Sequence, residues 1–236
     1  MIRLVFALML FWALPAQAGW QTRDSNYDIS ISGGAAVPFQ LDGSNSANNA
    51  VWPGTGQAIS LTTAQSQGII YVSILTNAAS VTSVTAVALT FTERPNPVVD
   101  SFGSYVTDFT APYSGGQCNS GCSITVSPAT TNYTTVTVFG ISGDKASSPF
   151  DPNASVPASS TTTTPLITTS NANDMVVTNI GTGANCTAGS GWTLINGTNL
   201  QCVEYQIFTS TQSGLTPTFS GAVAVGGKVD AVQKGP

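Results

Sequence analysis

Histidine is absent from the 236 residues of this chain. That removes the Ser-His-Asp triad, the Cys-His dyad, imidazole metal sites and the commonest general base. Charge is nearly as scarce. Asp, Glu, Lys and Arg make up 7% of the sequence, against about 25% in ordinary globular proteins. Only six residues are basic and the net charge is −5, so nucleic acid finds no positive footprint and anionic lipid no polybasic segment. Amphipathic helical periodicity is also missing beyond the first residues. Ser, Thr, Asn and Gly stand where charges usually would. With 42% hydrophobic residues, the chain is too apolar for disorder.

The N-terminus reads as an export signal. Arg3 gives a positive start, Leu4 to Leu14 form an apolar run, Pro15 breaks it, and Ala16-Gln17-Ala18 has the small-x-small pattern of signal peptidase. The run is too short for a bilayer crossing of about 20 residues. Residues 1–18 are therefore expected to be a signal peptide. The mature chain then begins at Gly19, is not inserted in the membrane, and is secreted, periplasmic or displayed on the cell surface. Four cysteines in an exported chain are read first as disulfides. Pairing by proximity gives Cys118–Cys122 and Cys186–Cys202; the alternative, a four-thiolate zinc site, lacks the usual CxxC spacing.

Segments rich in β-branched residues, separated by Gly, Pro, Asn and Ser, predict an all-β protein, a jelly-roll β-sandwich of two antiparallel sheets. Ile69 to Leu75 reads as a central strand. Ile124 and Val126 alternate with polar neighbours, as do Val136 and Val138 with Thr135 and Thr137. In Cys202 to Phe208, Val203, Tyr205 and Ile207 share one face and Glu204 and Gln206 the other. A Pro/Ser/Thr-rich stretch at about 142–164 is either a linker between two small immunoglobulin-like modules or a crossover within one domain. Strands of the same style on both sides favour one domain over 19–236.

Ser170-Asn171-Ala172-Asn173-Asp174-Met175-Val176-Val177, then Thr187-Ala188-Gly189-Ser190-Gly191-Trp192-Thr193-Leu194-Ile195, then Glu204-Tyr205-Gln206-Ile207 form a pattern. It resembles a broad group of jelly-roll domains from phage virion and tail-associated proteins and from bacterial secreted or surface proteins. Ser83 to Glu93 and Phe139-Gly140-Ile141-Ser142-Gly143 extend it into the first half. The resemblance implies a structural or binding domain and supplies no catalytic residues.

The residues with potential chemistry are few. Glu93 and Glu204 are the only glutamates; a retaining glycosidase would need two carboxyls about 5–5.5 Å apart. Trp52, Tyr105 and Tyr113 lie in turn-rich contexts, where flat rings stack on sugars while Asn, Gln and Asp bond the hydroxyls. The scattered aspartates are compatible with a structural calcium ion, although the one local cluster, Asp24 to Asp28, lacks the glycine and distal glutamate of a calcium loop. No other cofactor is implied. The leading expectation is a non-catalytic extracellular structural or adhesive domain whose partner is a glycan or a surface protein. A carbohydrate-binding module using the loop aromatics comes second, and a glycosidase using Glu93 and Glu204 third.

Overall fold

The computed structural model describes residues 36–77 and 79–236; the expected signal peptide and the Asp24–Asp28 cluster lie outside them. The first half of the described chain forms β1 (Gln40–Trp52), β2 (Gln57–Leu61), β3 (Gly68–Asn77), β4 (Val81–Thr85), β5 (Thr92–Glu93), β6 (Val98–Val99), β7 (Ser104–Tyr113), β8 (Cys122–Pro128) and β9 (Asn132–Ser142). The second half forms β10 (Ala158–Ser160), β11 (Asp174–Thr182), β12 (Thr187–Ala188), β13 (Thr193–Asn196), β14 (Gln201–Ile207), β15 (Phe219–Ser220) and β16 (Ala224–Gln233). All named strand pairs are antiparallel, so the protein is an all-β sandwich.

The two principal sheets come from different halves of the chain. A six-stranded sheet runs β1-β9-β3-β7-β5, with β6 also on β7, and a five-stranded sheet runs β10-β16-β11-β14-β13. A three-stranded sheet, β2-β8-β4, lies on the far side of the first. The chain passes from the first sheet system to the second once, through residues 143–157. This crossover is laid against the end of β16 by the bridges Asp144↔Lys234 and Phe150↔Val232.

The larger sheet is therefore covered on both faces, which explains its sequence. In β3, Ile70, Val72 and Ile74 join Trp52, Val136, Val138, Ile124 and Val126 beneath the three-stranded sheet. The alternate residues Ile69 and Tyr71 meet Phe139, Ile141, Met175, Val177, Val203 and Val232 between the principal sheets. A strand buried on both faces reads as a continuous apolar run instead of an alternation. The outer face of the second sheet is covered in turn: Val176, Ile180, Cys202, Val229 and Ala231 lie under Ile167, Cys186 and Trp192, with Trp192 packed edge-on to Phe208.

Irregularities sit where close packing demands them. β1 bulges between Leu41 and Ser44, with Gly43 at φ +82 and so close to the Thr62 carbonyl that a Cβ would collide with it. Both disulfides pair as the spacing predicts, and two such bonds indicate an oxidising, extracytoplasmic environment. Cys118–Cys122 closes the turn before β8. Cys186–Cys202 ties β14 to the segment ahead of β12 that covers it.

Candidate functional site

Of the catalytic and ligand-binding candidates singled out by the sequence, Tyr105 and Glu93 come together, while Trp52, Tyr113 and Glu204 lie apart from them. Trp52, at the end of β1, is 0% exposed in the core beneath the three-stranded sheet. A ring buried there presents no face to a sugar, so its place in a turn-rich stretch is corrected to a core position: the turn begins only at Pro53, and the side chain points back inward. Tyr113 is also buried, and its hydroxyl donates to Asp42 Oδ2 at 2.6 Å. One edge of Tyr113 still lines a cleft of about 370 Å³ with Gln67, Gln117 and Asp144. Tyr105 is half-buried, and its hydroxyl donates to Glu93 Oε1 at 3.2 Å. Burial, then the Glu93 charge and hydrogen bond, push the phenol up to about 12.

The two glutamates lie on opposite outer sides of the principal sandwich. Glu93 faces Phe109 across β5 and β7, on the face of the first sheet turned away from the second. It accepts from Thr107 Oγ1 at 2.6 Å. Glu204 shares its face with Cys202, on the side of the second sheet turned away from the first. Packed sheets are about 10 Å apart, and both carboxyls point outward from that pair, so neither glycosidase spacing is met. Glu204 was expected on a polar outer face; covering segments bury it instead, and burial pushes its carboxyl up to about 7 while the Gly189 N–H pulls it down.

Between the principal sheets lies a layer of polar and charged side chains that alternation alone assigns to solvent. Tyr71 Oη donates to Asp230 Oδ2 at 2.6 Å, and Arg94 donates to both Asp230 oxygens at 2.7 and 3.0 Å. The guanidinium also lies 3.3 Å over the Phe150 ring centroid, a cation–π contact. Burial, followed by the charges of Asp230 and Asp108, holds the Tyr71 phenol well above its ordinary range. Further along, Ser73 Oγ and Asn179 Nδ2 donate to Asp108 Oδ1 at 2.8 and 2.9 Å. Gln201 Nε2 donates to Asn179 Oδ1 at 2.9 Å, and Thr137 Oγ1 donates to Gln201 Oε1 at 2.9 Å. Thr135 and Thr137 thus face a buried polar seam.

Other aspartates clamp loops. Asp42 accepts from the Ala64 and Gln65 N–H groups, and Asp100 from those of Phe102 and Ser104. Asp151 accepts from Asn153, Ser170 and Asn171. Burial would raise Asp151, but these N–H donors hold it below its ordinary value. Among the described residues, no group of three or more acidic or thiol side chains is arranged to hold a metal ion.

Asp174 stands beside Asp151, and both of its oxygens are buried. Burial, then the bond and charge of Asp151, push it up to about 8; burial likewise raises Asp144 to about 6. Raised folded-state values stabilise the fold fully below the ordinary carboxylate range near 4 and lose that contribution as pH rises from there through about 6 to 8. Asp151 acts in the opposite sense below about 4. The melting temperature is therefore expected to fall from pH 5 to pH 9, by on the order of 5 °C. Asp174→Asn should flatten about half of that slope in a thermal-melt series; a flat or rising wild-type profile would contradict the reading.

One surface feature does have the form of a binding site. At the end of the sandwich where β3, β7 and β9 meet the turn before β14, Leu75, Phe102, Tyr133 and Leu200 line a groove of about 430 Å³ with Asn77, Ser104, Thr135 and Asn199. Phe102 is 64% exposed, Tyr133 52% and Leu200 42%. Asn199 and Leu200 are consecutive left-handed residues, φ 54 and 69, a conformation that is unusual for leucine. The turn is held by Asn199 N–H to Asn185 Oδ1 and by Thr182 N–H to the Leu200 carbonyl, at 3.0 and 2.8 Å. Sequence reasoning missed these aromatics. Phe102, between Asp100 and Gly103 in a tight turn, carried the one usable signal.

Comparison with protein-family models, curated proteins and solved structures finds no match for this chain.

Proposed function

We propose that this protein is an exported, non-catalytic β-sandwich acting outside the cytoplasm as a structural or adhesive domain, secreted or held at the cell surface. The observation that carries the proposal is the use of its charged groups. Asp42, Asp100, Asp108, Asp151, Asp174, Asp230 and Glu204 are all buried, and most of them clamp loops or join sheets. The exterior is correspondingly rich in hydroxyls and amides. The likeness of the second half to jelly-roll domains of phage and bacterial surface proteins supports the same reading.

The groove favours a second, more specific reading, a carbohydrate-binding module. Its lining has no charged side chain; exposed rings suit the apolar faces of sugars, and the neighbouring amides and hydroxyls suit their OH groups. This moves the sugar-binding surface from Trp52, Tyr105 and Tyr113 to Phe102 and Tyr133. The test is a glycan-array screen of the mature protein alongside a Phe102→Ala/Tyr133→Ala variant that melts normally. Saturable binding without hydrolysis, lost in the variant, establishes the module. An empty array leaves the structural role; release of sugar would overturn both readings.

A further inference from the structure

The interior holds an amine beside a carboxyl. Lys228, on β16, is 0% exposed. Its Nζ lies 3.4 Å from Asp108 Oδ2, on β7 of the facing sheet, and 3.3 Å from the Arg94 carbonyl. Both contacts are long for an ammonium with three protons to place, and burial removes the water that would otherwise stabilise either charge. The second Asp108 oxygen, Oδ1, is held by the Ser73 hydroxyl and the Asn179 amide at 2.8 and 2.9 Å. One oxygen is thus fixed by two donors and the other faces the amine. This is the arrangement that addition to a carboxyl carbon requires: donors where negative charge gathers, and the leaving oxygen beside the source of protons.

We propose that Lys228 and Asp108 condense to an amide that cross-links the two sheets. A proton passes from the ammonium to Oδ2, giving an amine and a carboxylic acid. The Nζ lone pair adds to Cγ, and Oδ1 takes the negative charge under Ser73 and Asn179. A second proton moves from nitrogen to Oδ2, the Cγ–Oδ2 bond breaks, and one water leaves. The nitrogen keeps one hydrogen, both formal charges vanish, and no oxidant or cofactor enters. The bond joins the half of the chain containing β7 to the half containing β16, which the two disulfides do not do, since each closes within one half.

The test is the intact mass of the exported wild-type protein, denatured and with disulfides reduced, against the formula mass calculated from its sequenced N-terminus. The expected result is a deficit of one water, with a protease fragment containing both Asp108 and Lys228. Lys228→Met and Asp108→Ala should restore the formula mass, and the wild-type fragment decides the matter if either fails to fold. Full formula mass in the wild type overturns the proposal and leaves a buried ion pair. A deficit of one ammonia mapped to Asn179, or a water loss mapped elsewhere, overturns Asp108 as the acceptor.

Discussion

Replacing Asp230 by alanine is expected to lower the unfolding free energy by about 3–5 kcal/mol, the usual cost of removing one partner from a buried ion pair. Asp230 satisfies three donor groups from other parts of the interior and its own strand. Tyr71 reaches it from the first sheet, Arg94 binds it in bidentate fashion, and the Ala231 N–H closes on Oδ1 at 2.9 Å. Its side chain is 2% exposed and that of Arg94 13%, so little water would replace the lost carboxylate. Burial pulls the Arg94 proton affinity down, yet the hydrogen bond and charge of Asp230 raise it overall. After truncation the guanidinium would keep its contact with Phe150 but lose its bidentate partner. Asp230→Asn keeps an acceptor for Tyr71 and should cost less than alanine. Chemical denaturation of the three proteins measures both differences, and an alanine cost below about 1 kcal/mol, the range of exposed pairs, would show that the pair is effectively solvated.

Trp52→Ala should be comparably damaging, at about 3–5 kcal/mol, because truncating a buried aromatic leaves a cavity that a β-core refills poorly. The ring packs among residues of β1, β3, β8 and β9 and has no exposed surface. Its indole nitrogen finds no acceptor among the described residues. Trp52→Phe removes that orphaned donor along with part of the volume. The relief, about 1–3 kcal/mol for an unsatisfied buried group, should offset much of the lost packing. Equilibrium unfolding distinguishes the two variants. A stable alanine variant that loses binding to a glycan would return Trp52 to the surface.

The contrast between Trp52 and β3 shows what the sequence could disclose. Ile69 to Leu75 announces a strand covered on both faces, because an unbroken apolar run has few other uses at that length. Thr135, Thr137, Glu204 and Gln206 follow an alternation that is equally regular, but alternation reports only that two faces differ. It does not say that the polar face meets another polar face, and here Thr137 meets Gln201 at 2.9 Å inside the protein. Pairing of cysteines close in sequence was legible because short loops close readily. The groove was not, since nothing in the residue type of Leu200 signals a left-handed backbone, and Phe102 and Tyr133 are far apart in the chain. Lys228 likewise gives no sign of burial: its neighbours Gly227 and Val229 suit an edge as well as a centre.

The single passage of the chain between the principal sheets gives their boundary a particular character. Each sheet is complete without strands borrowed from the other half, and they meet through hydrogen bonds, the Arg94–Asp230 and Lys228–Asp108 pairs and one apolar cluster around Tyr71, Phe139 and Met175. Buried charges and amides beside an apolar cluster are also what a contact between separate partners contains. The protein is in this sense a heterodimer written as one polypeptide, in which residues 143–157 act as the tether and its local concentration effect does the work that affinity would do between free subunits.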